Sequence, residues 1–239
     1  MRVNGSRGSL VAKSIVLPAP HAVCQCAPVI VPEATGSTVL GIDLRSGPRY
    51  PTGLAAMGRD RRLRLLAIAR HDAEIEATVE RFRPALVCID APLALPEGRD
   101  CADPACACAV AGILRAVDRF CIAAGYSPFP TLLPSMVGLT LRGIALSERL
   151  RGGGVQVIEV YPGMAQDILG IPRKGQGVDA LARGLRRVGV RGVPRARPAT
   201  HDELDAATCA LVGVLHLEGA TEVFTTPGVP PFVFPVRER

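Results

Sequence analysis

The chain has 239 residues, of which 48% are hydrophobic and 21% charged, enough for one well-buried α/β core. No apolar run approaches the roughly 18–20 residues that span a bilayer as a helix, so a soluble, cytoplasmic protein is expected. The net charge of +6 suits an anionic partner such as nucleic acid, while the lack of Trp and the 3 Tyr argue against extensive stacking on single-stranded bases.

Residues 1–36 show no sustained period and carry several Pro and Gly, which predicts a flexible N-terminal extension ahead of a domain over 37–239. Arg2, Arg7 and Lys13 precede Ile15-Val16-Leu17, but Pro18 and Pro20 cut that apolar run short, so no secretory signal is expected. Val39, Leu40 and Ile42 then form a run too brief for a helix, bounded by turn residues, which reads as a buried strand ending in Asp43. Residues 51–57 resume an extended pattern, giving a hairpin, and 61–68 a third strand of the same meander.

Asp72 is positioned to cap a helix through Ile75, Val79 and Phe82 that stops at Pro84. The run 85–90 repeats the first strand, again closing on Ile-Asp, and a strand reached through a helix runs parallel to the first. A cysteine-bearing loop from Cys101 to Cys108 precedes a helix with Ile113, Leu114, Val117, Phe120 and Cys121. Ser135 is the expected cap of a further helix ended by Gly152-Gly153-Gly154. Residues 155–160 read as a strand with Glu159 near its end, followed by short helices over 164–169 and 178–188. Thr200-His201-Asp202-Glu203 is a capping box that opens a long apolar helix, and residues 223–224 and 232–234 are expected to add a terminal strand interrupted by Pro227, Pro230 and Pro231.

Three strands thus end in acids, at the sheet end where open α/β folds place their sites. If the strands of Asp43 and Asp90 are neighbours, their carboxylates repel unless a cation lies between them. Asp202 and Asp205, three apart on one helical face, supply further oxygen ligands near a helix N-terminus, and such a set suits Mg²⁺ or Mn²⁺. Each acid also has a plainer reading: a turn aspartate for Asp43 or Asp90, a helix-start charge for Asp202 or Asp205, an arginine partner for Glu159. Cys101, Cys106, Cys108 and Cys121 are spaced irregularly for a structural Zn²⁺ site, with reduced free thiols as the alternative.

The segments Gly41-Ile42-Asp43-Leu44, Pro51-Thr52-Gly53-Leu54-Ala55, Ile89-Asp90-Ala91-Pro92-Leu93, Pro134-Ser135-Met136, Leu139-Thr140-Leu141-Arg142-Gly143, Glu159-Val160-Tyr161-Pro162-Gly163 and Thr200 to Ala207 occur in an order that resembles domain-of-unknown-function family 429, predicted nucleases of RNase H fold. The resemblance runs from about residue 38 to the end. It implies an α/β, RNase H-like domain with a five-stranded mixed sheet in the order 3-2-1-4-5, flanked by helices on both faces. It also implies site acids at Asp43, Asp90 and Asp202 or Asp205.

The expected function is a metal-dependent nuclease acting on DNA or RNA, structured or duplex rather than single-stranded. Asp43, Asp90, Glu159, Asp202 and Asp205 are the catalytic candidates. Asp43, Asp90, Asp202 and Asp205 are the metal ligands. Lys174, Arg183 and Arg187, in the basic stretch that continues to Arg197, are expected to grip phosphates. The alternative is a non-catalytic nucleic-acid or protein binding module on the same scaffold. The related actin-like and sugar-kinase ATPases need two such domains and a Gly-rich phosphate loop, which this chain lacks.

Overall fold

The structure is a computed structural model that describes residues 37–195 and 198–236. The extension over 1–36, the Cys24-Gln25-Cys26 motif within it and Arg197 lie outside the described residues.

β1 (Thr38–Asp43) takes the middle of the sheet because Val39, Leu40 and Ile42 are apolar on both pleat faces and each is 0% exposed. It pairs antiparallel with β2 (Thr52–Gly58), which pairs antiparallel with β3 (Leu63–Ala69). On its other side β1 runs parallel to β4 (Leu86–Asp90), which is parallel to β5 (Val157–Glu159). This is the expected arrangement of the RNase H-like core, first three strands antiparallel and the fourth and fifth parallel to the first.

The sheet does not stop there. Among the described residues it has seven strands rather than five, in the order β3-β2-β1-β4-β5-β7-β6, because the tail forms a hairpin of β6 (Thr221–Phe224) and β7 (Phe232–Pro235). The three prolines fall around the turn between those strands, where no ladder donor is lost, so they divide the tail into two strands instead of interrupting one.

Alternate strand residues feed two layers, as the two-residue pleat requires. Leu40, Ile42, Leu54, Ala56, Val87 and Ile89 pack against Ile75 and Val79 of α1 (Asp72–Phe82) and Leu146 and Leu150 of α3 (Val137–Gly152). Val39, Ala55, Met57, Leu86 and Cys88 face the opposite layer, made by α4 (Pro162–Ile168), α5 (Val178–Arg187) and α6 (His201–Leu217). Several boundaries differ from expectation. His71, not Asp72, stands at the start of α1, which frees Asp72 to pair with Arg142 and Arg149 of α3. Met136 rather than Ser135 precedes α3, and α2 (Ala116–Ala123) starts late, leaving Ile113 and Leu114 in the loop.

The capping box is present at α6: Thr200 Oγ1 accepts from the Glu203 N–H at 3.2 Å, and the Glu203 carboxylate accepts from the Thr200 N–H at 2.8 Å. From Asp202 to Leu215 the helix is buried, so it is the central element of its layer. It sits flush on the sheet because glycines face it. A Cβ at Gly53 would lie 2.0 Å from the Asp202 carbonyl oxygen, and one at Gly41 2.0 Å from that of Ala206. Backbone on both sides of these contacts leaves nothing to yield. Gly53→Ala is therefore expected to destabilise the fold by about 1–3 kcal/mol or more, read as a lower urea midpoint at unchanged slope.

Candidate functional site

The register of two parallel strands builds the floor of the site. Ile42 pairs with Ile89 and Asp43 with Asp90, so two carboxylates emerge side by side, strand axes about 4.8 Å apart. The Gly53 contact seats the first turn of α6 against β2 and brings Asp205 to the same place. Asp43, Asp90 and Asp205 all line one cleft of about 460 Å³, together with Arg45, Arg115, Glu159, Gln166, Arg173 and Lys174.

The surroundings oppose three adjacent charges. Burial is the main force lifting the Asp43 carboxyl well above the usual carboxylate range, followed by Asp90 and Asp205, with Arg45 only partly offsetting them. Asp90 is pushed up to about 8, first by burial and then by Asp205, against the opposing pull of Lys174. Part of the Asp90 surface opens to the cleft, so solvent tempers this shift more than it does at Asp43, which is 3% exposed. Asp205 is held at both oxygens: Gln166 Nε2 donates to Oδ1 at 2.7 Å and Lys174 Nζ lies 3.1 Å from Oδ2. Lys174 in turn keeps its proton more firmly than usual, since Asp205, Asp43 and Asp90 outweigh the burial that works against its charge.

Asp43 Oδ2 is buried and has no hydrogen-bond partner among the described residues. A buried carboxylate oxygen left unpaired is costly when ionised, and its neighbours at the strand end are further carboxylates, so a cation bound there would offset the charge. The donors are hard oxygens, which fit Mg²⁺ or Mn²⁺ rather than a soft metal.

The other expected site residues are placed differently. Asp202 is buried on the first turn of α6 but does not line the cleft. Its Oδ1 lies 2.9 Å from an Arg45 guanidinium nitrogen, close enough to attract but not aligned as a hydrogen bond, and its Oδ2 lies 3.2 Å from His201 Nδ1. Glu159 lines the cleft with both oxygens engaged. Arg115 donates to each at 2.7 Å, and the Leu93 N–H adds a bond of 3.0 Å to Oε2. Arg115 also binds Asp118 at 2.9 Å, and Thr131 Oγ1 donates to Asp118 at 2.6 Å. Burial works against the Arg115 charge, but Glu159 and Asp118 outweigh it and raise its pKa above the ordinary guanidinium value.

Of the expected phosphate grips, Lys174 lines the cleft, whereas Arg183 and Arg187 are exposed on α5 outside it, Arg187 donating to the Gly170 carbonyl. Cys101, Cys106 and Cys108 come together, but Cys121 does not join them. It rides on α2 into an apolar cluster with Met164, Phe232 and Phe234, its Sγ 4.0 Å from the Met164 sulfur. Arg45, Arg115, Gln166 and Arg173 were not foreseen as site residues. Only Arg115 carried a local signal, an Arg-x-x-Asp spacing to Asp118 across the start of α2.

A family model described as "Protein of unknown function (DUF429)" matches residues 41–229. No curated protein matches the chain. Among solved structures it is similar to T. thermophilus RuvC in complex with a Holliday junction substrate, at 16% identity and a TM-score of 0.45, with 81% of this chain and 99% of that chain covered. A second Thermus thermophilus RuvC structure is similar at 17% identity and a TM-score of 0.42, with the same coverage of 81% and 99%.

Proposed function

The chain belongs to the DUF429 family, and we propose that it is a nuclease that hydrolyses phosphodiester bonds of DNA or RNA with Mg²⁺ or Mn²⁺ held by Asp43, Asp90 and Asp205. The observation that carries this reading is the convergence of those three carboxylates on one cleft, Asp43 and Asp205 buried and Asp43 with an oxygen that lacks a hydrogen-bond partner among the described residues. Divalent ions held there supply charge neutralisation and an activated water for displacement at phosphorus.

The chain's own residues do the rest. Gln166 fixes the rotamer of Asp205 through Oδ1 and also reaches Thr208 Oγ1 at 3.2 Å, so the carboxylate presents its other oxygen in a set direction. Lys174, Arg45 and Arg173 bring cationic groups to the cleft, each shared with an acid (Asp205, Asp202 and Asp167 in turn), and from there they can contact a phosphate backbone. Asp202 restrains Arg45, and Arg115 with Glu159 and Asp118 forms a buried ionic wall; all three acids thereby act as positioning residues. Structured or duplex nucleic acid is the substrate class that fits a cationic rim with few aromatic platforms.

A non-catalytic binding module is favoured by one observation: Lys174 and Arg45 already stand against Asp205 and Asp202 with no divalent ion involved. The two readings separate experimentally. For the nuclease, Mn²⁺ at about 100 times its Kd raises folding stability by about 2.7 kcal/mol, seen as a higher melting temperature, and Asp43→Asn removes the shift. Incubated with branched, duplex and single-stranded substrates plus Mn²⁺, the wild type cleaves and Asp43→Asn does not. Binding without cleavage and without a melting shift establishes the module instead.

A further inference from the structure

Residues 91–115, between β4 and α2, form a long connection whose regular content is one 3-10 turn over Ala107–Ala111. Connections of this length are uncommon in compact domains unless something holds them. Apolar burial holds only its first part, where Ala91 and Leu93 join the core; no residue of the 3-10 turn is buried, and Val110 is 94% exposed. What the segment does have is an arginine folded beneath it and three thiols. Arg99, 8% exposed, donates to the carbonyls of Cys101 at 3.0 Å and Asp103 at 2.9 Å. The Asp103 carboxylate accepts from the Ala105 N–H at 2.8 Å, closing the bend that returns the chain to Cys106.

These bonds converge the thiols. Cys108 Sγ lies 3.2 Å from Cys106 Sγ and 3.7 Å from Cys101 Sγ, and all three ligand atoms fall within 4.8 Å of one another. Three sulfurs at that separation subtend a single tetrahedral ion at ordinary zinc–sulfur distances of about 2.3 Å. The site is soft, unlike the oxygen-lined cleft, and does not compete with it for the same metals.

We propose that Cys101, Cys106 and Cys108 bind one Zn²⁺ as three thiolates, leaving the fourth position to water, and that this ion pins the segment which delivers Arg115 to the cleft wall. The thiol protons pass to solvent on binding. The mechanical link is short: Glu97, at the near end of the segment, accepts from the Ala116 N–H at 2.9 Å, tying it to the start of α2 and hence to Arg115.

The test is metal loading of the full chain. Wild type stripped with chelator and titrated with Co²⁺ is expected to bind one equivalent with sulfur-to-metal charge-transfer and tetrahedral d–d bands, and Zn²⁺ to bleach them. The bands are absent from Cys101→Ser/Cys106→Ser/Cys108→Ser and unchanged in Cys24→Ser/Cys26→Ser and in Asp43→Asn. Zn²⁺ is also expected to slow proteolysis within residues 99–112 in wild type. If the triple variant does not fold, the single variant Cys108→Ser carries the comparison. A thiolate band that survives in the cysteine variants, one that follows Cys24 and Cys26, or no band in reduced wild type overturns the proposal.

Discussion

Asp90→Asn is expected to lower Mn²⁺-dependent cleavage by more than about 100-fold while raising the melting temperature of the metal-free protein. The first effect follows from loss of a charged ligand, given that even outer partners of metal sites are worth about 10–100-fold. The second follows from removing a like charge that burial, Asp205 and Glu159 all disfavour. The same group sets a pH dependence of definite sign. Its carboxyl titrates near 8 when folded, against roughly 3.9 in an unfolded chain, so between those values the folded state holds a proton that the unfolded state lacks. Its contribution to stability is complete below about pH 4 and is lost as the pH climbs through 8. Melting curves in chelator should therefore fall across that window for wild type and flatten for Asp90→Asn. With Mn²⁺ present the wild-type slope should shrink or reverse, since the metal favours the ionised carboxylates. An Asp90→Asn protein no more stable than wild type in chelator at pH 8 would contradict the crowding of charge at this strand end.

Arg115→Ala should be the most damaging single substitution of a cleft residue. The guanidinium is 5% exposed and serves two carboxylates, Glu159 and Asp118, that are themselves buried. Deleting it strands both, and breaking a buried ion pair by removing one partner costs about 3–5 kcal/mol. For a domain of this size that is a fall of about 6–20 °C in melting temperature. Neutralising the acids as well, with Glu159→Gln and Asp118→Asn in the Arg115→Met background, should recover much of the loss, because the cost lies in uncompensated charge rather than in missing volume. Chemical denaturation of the single and combined variants measures the difference directly. Recovery of none of the stability would place the role of Arg115 in packing.

How much of this could be read from residues alone depends on whether the signal was local. The strands ending in Asp43 and Asp90 are legible because a short apolar run stopped by turn residues has few other folded outcomes, and the repeat of Ile-Asp marked them as a pair. The start of α6 was equally clear, since the Thr200 and Glu203 bonds are formed within four residues. The tail is not legible because Pro227, Pro230 and Pro231 look like breaks in one strand when they surround the turn of a hairpin, and pairing cannot be seen from composition. Cys121 lies near the other cysteines along the chain, but helical phase turns it inward toward Met164. The Arg115–Glu159 bond joins residues 44 apart, and Gln166 meets Asp205 across 39, separations at which only the folded chain shows who is adjacent.

The C-terminal hairpin has a bearing on β5 that reaches past its own two strands. β5 is three residues long, and its Glu159 N–H is satisfied by the carbonyl of Pro231, immediately ahead of β7. Stripped of that partner, so brief a strand would become the exposed margin of the sheet, with open donors and acceptors inviting another chain to add on. The residue at that margin is the one gripping Arg115. Shortening the protein at its far end would thus loosen the wall of a cleft built mainly from segments well upstream, and it would do so while also making the molecule prone to self-association.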